Sequence, residues 1–270
     1  MKRMLMTAAV LAAAATLARA EEKAAAPEVA AVVPKEESPD TGFSFEATLD
    51  LYSAYIWRGC VVNDRPVWQP GGTVSYATAD YGTLSAGVWG NFDMTDRCGH
   101  TQFGGISEVD YTAAYEIEVG PVSLSAGHIW YVFPSVSGSA YDSSTREVFA
   151  SAQYNTDLVN PFVEAYYDYE FAEGVYALAG VNKTVEISDR FEVGAELSMG
   201  VADEDYMDAY FGASGGFADF NAALFASYAI TENVSVGPRL AWMSLVDSEA
   251  RDNVDDQEIL WGGVNLAASF

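Results

Sequence analysis

Carboxylates dominate the chemistry available to this 270-residue chain. Asp plus Glu number 39 against 13 Lys plus Arg, a formal net charge of −26, with two His and two Cys. General acid–base catalysis needs two positioned groups whose pKa values are held apart. Carboxylate pairs recur so often here that none stands out. Nucleophilic catalysis needs a base beside a Ser or Cys. His128 shares the phase of Val122, Leu124, Ala126 and Trp130, which makes it a residue of an apolar face near a membrane interface. His100 lies in a loop beside Cys98, and neither histidine sits in a hydrolase or protease motif. The expectation is a protein that is not an enzyme and uses no cofactor or metal. The cysteine count excludes a zinc ribbon, a haem-attachment pair and a multi-disulfide scaffold. The acidic balance argues against nucleic acid as a partner, because no basic surface exists to release counterions.

The carboxylates gain meaning from the elements that carry them. In 43–58, Phe43, Phe45, Ala47, Leu49, Leu51, Tyr55 and Trp57 share one face, and Ser44, Glu46, Thr48, Asp50 and Arg58 the other. The alternation is clean to Leu51 and then blurs at Tyr52, Ala54 and Ile56. The apolar face has aromatics at both ends and mostly aliphatics between. From Phe45 to Tyr55, at ~3.3 Å per residue and a tilt of ~40–45°, the chain rises roughly 25 Å. That matches the lipid-facing band of an outer-membrane barrel, with an aromatic girdle at each interface. The same period of two returns around 106–117, 161–170 and 191–201, each with acids on one face. A soluble sandwich would hide its apolar face against a second sheet.

Twelve strands are expected, near 43–58, 65–77, 82–92, 106–118, 121–131, 145–155, 161–170, 174–187, 190–201, 217–230, 233–245 and 260–270. Short turns at 79–80, 119–121, 187–189 and 231–233 alternate with longer polar or glycine-rich loops at 92–105, 132–144, 202–216 and 246–259. The fold class is therefore all-β: a transmembrane antiparallel up-and-down β-barrel of about 12 strands. Residues 1–20 read as a cleaved signal peptide, with Lys2 and Arg3, an apolar run, and Ala18-Arg19-Ala20 at the cleavage site. Its removal leaves 10 basic and 39 acidic residues, a net −29. Residues 21–41, interrupted by Pro27, Pro34 and Pro39, read as a flexible periplasmic lead, and residues 42–270 as the barrel. Phe270 closes an alternating last strand and looks like the terminal assembly signal of bacterial barrels.

On this assignment Glu46, Asp50, Glu108, Asp110, Glu116, Glu164, Asp168, Glu192, Glu196 and Asp219 face the lumen, together with Arg58 and Arg239. Inward placement is favoured because a charge on the lipid face costs ~2–4 kcal/mol at mid-depth for Arg or Lys, and less for acids. Fixed negative charge would draw cations into a pore and repel anions. The other reading is a plugged lumen in which Arg58 and Arg239 pair with acids. Cys60 and Cys98, both in outer loops by this topology, permit a disulfide in an oxidising compartment. Two separate thiols, or a Cys98–His100 metal contact, are the alternatives. The acids at 203–208 and 247–258 read as a solvated loop surface.

Some segments resemble a known family. Tyr55-Ile56-Trp57-Arg58-Gly59 and Asn63-Asp64-Arg65-Pro66-Val67-Trp68-Gln69-Pro70-Gly71 are similar to the opening motif of the TorF family of porins. Ser85–Asn91, Glu108-Val109-Asp110, Gly127–Pro134 and Arg146–Ala150 fit the same resemblance, which runs from about residue 43 to the C-terminus. Cys60 and the acidic lead before Gly42 depart from it. The resemblance implies a Gram-negative outer-membrane channel. The expected function is passive diffusion of small hydrophilic solutes, cationic or neutral, through an acidic lumen. A closed structural or adhesive barrel displaying acidic loops is the alternative, and a barrel-embedded hydrolase a more distant one. Expected partners are outer-membrane lipid and lipopolysaccharide, the outer-membrane assembly machinery and small solutes, with both termini periplasmic.

Overall fold

The computed structural model describes residues 42–95, 104–134 and 144–270. The expected signal peptide, the lead of residues 21–41, Cys98 and His100 lie outside the described residues. Twelve strands hydrogen-bond into a closed antiparallel barrel. They are β1 (Gly42–Tyr52), β4 (Val67–Thr78), β5 (Gly82–Asp93), β6 (Ile106–Val119), β7 (Val122–Val132), β8 (Ser144–Tyr154), β9 (Asn160–Asp168), β10 (Val175–Ser188), β11 (Phe191–Ala202), β12 (Gly216–Ala229), β13 (Val234–Leu245) and β14 (Glu258–Ser269). Each pairs with its sequence neighbours, and the cylinder closes where β1 meets β14, with Glu46 opposite Ser269 and Tyr52 opposite Gly263. Two short strands, β2 (Tyr55–Trp57) and β3 (Cys60–Asn63), form a separate hairpin. Two helices, α1 (Glu204–Phe211) and α2 (Ser248–Asn253), occupy connections at the same end of the barrel as that hairpin.

Closure removes every free sheet edge, so the backbone groups of the wall are satisfied within it, as a lipid environment demands. Period-two alternation then sorts the side chains. Leu84, Val119, Val163, Ile187, Leu197, Leu224, Leu240 and Leu260 stand exposed on the outer face with no second layer over them. Leu224 and Leu260 are 62% and 66% exposed. Such a belt exceeds what a water-facing surface carries and marks a lipid-facing wall. Aromatics bound it at both ends. Phe43 and Tyr76 pack at 4.8 Å near the short turns, and Tyr111 and Trp130 at 5.6 Å near the long loops. The protein is thus a transmembrane β-barrel with a turn end and a loop end. Gly42 and Phe270 both lie at the turn end, where the backbones of Phe45 and Phe270 exchange two 2.8 Å hydrogen bonds.

The wall departs from the expected first strand. β1 stops at Tyr52, and residues 55–63 turn inward as the hairpin β2–β3. Tyr55 and Trp57, expected in the lipid-facing girdle, are 1% and 3% exposed inside the barrel. The blurred alternation after Leu51 has this physical cause: the chain has left the wall, and both faces of the hairpin meet protein. Arg58 is therefore not a wall residue but sits at the hairpin tip. Cys60 is part of β3 and half-buried there, not in a solvent-facing outer loop.

The connections at 202–216 and 246–259 also contain more order than polar loops would. Asp203 caps α1 by accepting from the Tyr206 amide at 2.9 Å, and Asp247 caps α2 by accepting from the Ala250 amide at 2.8 Å. A side-chain oxygen at this position satisfies an amide left over by the first helical turn. These two acids are thus structural caps, not merely solvated charges. Glu249 accepts from the Ser214 amide at 3.0 Å and ties the two connections together.

Candidate functional site: the lumen and its inward hairpin

Antiparallel partners directly opposite one another point to the same side of a sheet, so one fixed residue sets the phase of the whole wall. The register places Asp50, Glu108, Asp110, Asp168 and Asp219 on the inner face toward the loop end. All five are buried. Glu164, Glu196 and Arg239 lie mid-barrel on the same face, opposite Ser151, Ala223 and Phe225 respectively. Glu46, Glu116 and Glu192 face inward toward the turn end, opposite Thr73, Thr83 and Ser227. Asp64 and Pro66 stand exposed at the base of the hairpin, and Asp64 meets Arg65 at 3.3 Å in a surface pair.

The hairpin tip positions Arg58. Arg58 has φ 42° and Gly59 φ 84°, both positive, as the two central residues of a type I′ turn require. A glycine supplies this geometry without a steric cost, whereas an arginine does not. Tertiary contacts hold Arg58 in that conformation. Its guanidinium grips Glu147 of β8 with two parallel hydrogen bonds, 2.9 and 3.0 Å, and the pair is 9% and 0% exposed at the side chains. The guanidinium plane lies 3.7 Å from the Tyr166 ring centre and 4.8 Å from that of Trp57. Tyr131 donates to Glu147 Oε2 at 2.8 Å, and the Tyr55 hydroxyl donates to Glu108 Oε2 at 3.0 Å. At the hairpin base, Asn63 donates to Asp93 at 2.7 Å. Desolvating both members of an ion pair is costly, and here fork-on-fork geometry and the added tyrosine bond offset it.

Helix α1 packs into the same end. Tyr206 and Tyr210, one turn apart, stack at 4.5 Å, and Trp57 meets Tyr210 at 5.0 Å. The Tyr210 hydroxyl donates to Asp168 Oδ2 at 3.3 Å, while Asp168 Oδ1 accepts from Thr145 and from the amides of Glu170 and Phe171. Tyr176 donates to Asp219 at 2.9 Å. Burial pushes the Tyr206 and Tyr210 phenols well above their ordinary range, and neighbouring negative groups add to this at Tyr210. Gly200 makes room for this packing. A Cβ there would lie 2.3 Å from the Tyr176 hydroxyl and 2.4 Å from Asp219 Oδ1.

Beneath the hairpin lies a cavity of about 280 Å³ whose lining includes Trp57, Arg58, Tyr166, Tyr176, Glu196 and Arg239. Toward the turn end the inner face carries Glu46, Glu116, Glu118, Glu186 and Glu192, while Lys183 shares the outer phase of Val181 and Val185 and donates to the Thr156 carbonyl at 3.1 Å. Among the described residues, no cluster of three or more His, Cys, Asp or Glu could hold a metal ion. His128 lies on the outer phase, with Nε2 2.7 Å from the Tyr169 hydroxyl.

The sequence did not single out Glu147, Tyr131, Tyr206 and Tyr210. Glu147 was within reach of the alternation argument, because it shares the phase of Thr145, Phe149 and Ser151. The two tyrosines of α1 carried a weaker signal, an i, i+4 pair after an Asp cap. The disulfide expected between Cys60 and Cys98 lies outside the described residues.

No protein family and no curated protein matches this chain. Among solved structures, it is similar to an outer membrane channel from Pseudomonas putida F1, with a TM-score of 0.55 and 13% identity over 90% of this chain and 100% of that one. The NanC and KdgM porins align at TM-scores of 0.48 and 0.45, with 12% and 13% identity, over 84% of this chain and 98% and 99% of theirs. The likeness is one of fold: a closed barrel of the outer-membrane channel type.

Proposed function

We propose that the protein is a porin-like channel of the bacterial outer membrane, passing small hydrophilic solutes through an acidic lumen narrowed at its loop end by the β2–β3 hairpin and α1. Cationic and neutral solutes are favoured over anions. Both termini face the periplasm, following a cleaved signal peptide of residues 1–20 and a lead of residues 21–41. The TorF family of porins, which the Tyr55–Gly59 segment resembles, is the proposed family. The observation that carries the reading is a lipid-facing barrel wall enclosing a charged cavity under a hairpin held by side-chain contacts. Rings of fixed carboxylate concentrate cations at the turn end, where few cations oppose them.

Planar bilayers under a KCl gradient test it. Purified protein should give discrete conductance steps with a cation-selective reversal potential, and a Glu46→Gln, Glu116→Gln, Glu192→Gln triple variant should shift that potential toward zero. Anion selectivity, or no effect of the triple variant, would contradict the acidic-lumen reading. The packing of the loop end favours a second reading, a closed structural barrel. Conductance that stays absent even after the hairpin is released would support that reading over the channel.

A further inference from the structure

Two guanidinium groups line the cavity beneath the hairpin, and they differ. Arg58 is saturated by Glu147. Arg239, on β13, is not: among the described residues its buried Nε has no hydrogen-bond partner, and no carboxylate pairs with it at ion-pair distance. Instead it lies between two rings, 5.7 Å from the centre of Phe225 and 5.8 Å from that of Trp261. Its cross-strand partner on β14 is Gly263, where a Cβ would lie 1.9 Å from the Leu51 carbonyl oxygen and 2.7 Å from the Tyr52 ring, so no side chain from that position reaches Arg239. A guanidinium is a planar fork that matches a carboxylate, so one with an unpartnered buried Nε in a small cavity offers geometry suited to that group.

The surroundings narrow the ligand further. Asp50 on β1 and Glu196 on β11 flank Arg239 two strands away on either side, and both are within electrostatic reach of it. Asp50 is itself anchored by Asn265 at 2.6 Å and Tyr52 at 3.1 Å. A dianion would be repelled by these acids and by those nearer the turn end. A molecule with one carboxylate and one ammonium meets both signs. The remaining lining sets apolar groups, among them Ile129, Phe149, Leu178 and Trp261, beside the uncharged polar Thr112, Ser198 and Asn221. A cavity of about 280 Å³ holds one small molecule and not a chain. We propose that this cavity is a binding site for a zwitterionic solute of amino-acid size with an apolar side chain, its carboxylate on Arg239 and its ammonium toward Glu196. As the solute class of a channel, the inference rests on the channel reading proposed above; as a site, it stands on the cavity itself.

Calorimetric titration of the detergent-solubilised full chain tests the site without requiring transport. The probes are L-leucine, 4-methylpentanoate, which lacks the ammonium, and 3-methylbutylamine, which lacks the carboxylate. L-Leucine should bind saturably, and each singly charged analogue at least tenfold more weakly. Arg239→Gln should weaken L-leucine at least tenfold. Arg239→Lys, which keeps the charge but loses the fork, should weaken it several-fold and serves where the glutamine variant does not fold. Absence of saturable L-leucine binding, equal binding of either analogue, or unchanged binding in the Arg239 variants would overturn the proposal. Binding with silent bilayers would fail the channel reading alone. Conductance without binding would fail the site alone.

Discussion

The two halves of this lumen are built from the same residue types and behave as different materials. At the loop end, Glu108, Asp110, Glu147, Asp168 and Asp219 are buried among tyrosines, a hairpin and a helix. At the turn end, Glu46 and Glu192 are only half-buried and Glu116 and Glu186 are exposed. Carboxylates at the loop end are structural acceptors: Glu147 holds Arg58 and Tyr131, Asp168 holds Tyr210 and a turn, and Asp219 holds Tyr176. Those at the turn end are fixed charges facing solvent. An inward phase therefore does not by itself give an acid a role in selectivity; what stands opposite it does.

The largest contrast between the halves should come from removing a charge partner. Arg58→Ala leaves Glu147 buried without its counter-ion and should cost about 3–5 kcal/mol in urea unfolding of the folded barrel. Glu186→Ala, exposed on the inner face at the turn end, should change it by about 0.5 kcal/mol or less. Equal effects would dissolve the distinction. A smaller contrast comes from two glycines with positive φ. At Gly59 a Cβ would lie 2.9 Å from Leu245 and 3.1 Å from the Asp219 side chain, whereas at Gly120, in the turn between β6 and β7, nothing stands within 4 Å. Both alanine substitutions carry backbone strain of about 1–2 kcal/mol. Gly59→Ala should cost more by the added crowding, and a parallel loss in the two would show that the hairpin tip is loosely seated.

The smallest effect is an alkaline one. Burial raises the Tyr206 and Tyr210 phenols, so the folded plug retains protons that the unfolded chain gives up once the pH passes the ordinary tyrosine value of about 10. Their contribution is fully present below that pH and falls as the pH climbs toward the raised folded values. Hydrogen exchange of α1 should therefore quicken between about pH 10 and 11, ahead of the barrel strands. Tyr206→Phe with Tyr210→Phe should remove the difference. A helix equally protected at both pH values in the native chain would argue against this linkage.

Much of the wall was legible from residues alone. Strict alternation from Gly82 to Asp93 or from Phe191 to Ala202 fixes which side chains meet lipid, because a one-residue slip would turn every one of them around. Chain order and short turns then give neighbour pairing, and an even strand count gives closure. The interior of the loop end was not legible in that way. Tyr55, Ile56 and Trp57 lie where both faces of a short strand are covered, so the period that identifies a wall strand disappears. A hairpin of three- and four-residue strands leaves too little pattern to separate from the tail of β1. The pairing of Arg58 with Glu147 spans 89 residues, and only the curvature of the closed wall brings them together. The unpartnered Nε of Arg239 was equally hidden, since it depends on the aromatic rings of Phe225 and Trp261 on its flanks.

Side-chain contacts through Arg58 tie the β2–β3 hairpin to the barrel wall at Glu147. Single-channel recording of the native protein beside Arg58→Ala, under identical salt, tests it most directly. Small cation-selective steps are expected in the native chain and steps several-fold larger in the variant, with the barrel intact. Steps of the same size in both would contradict it.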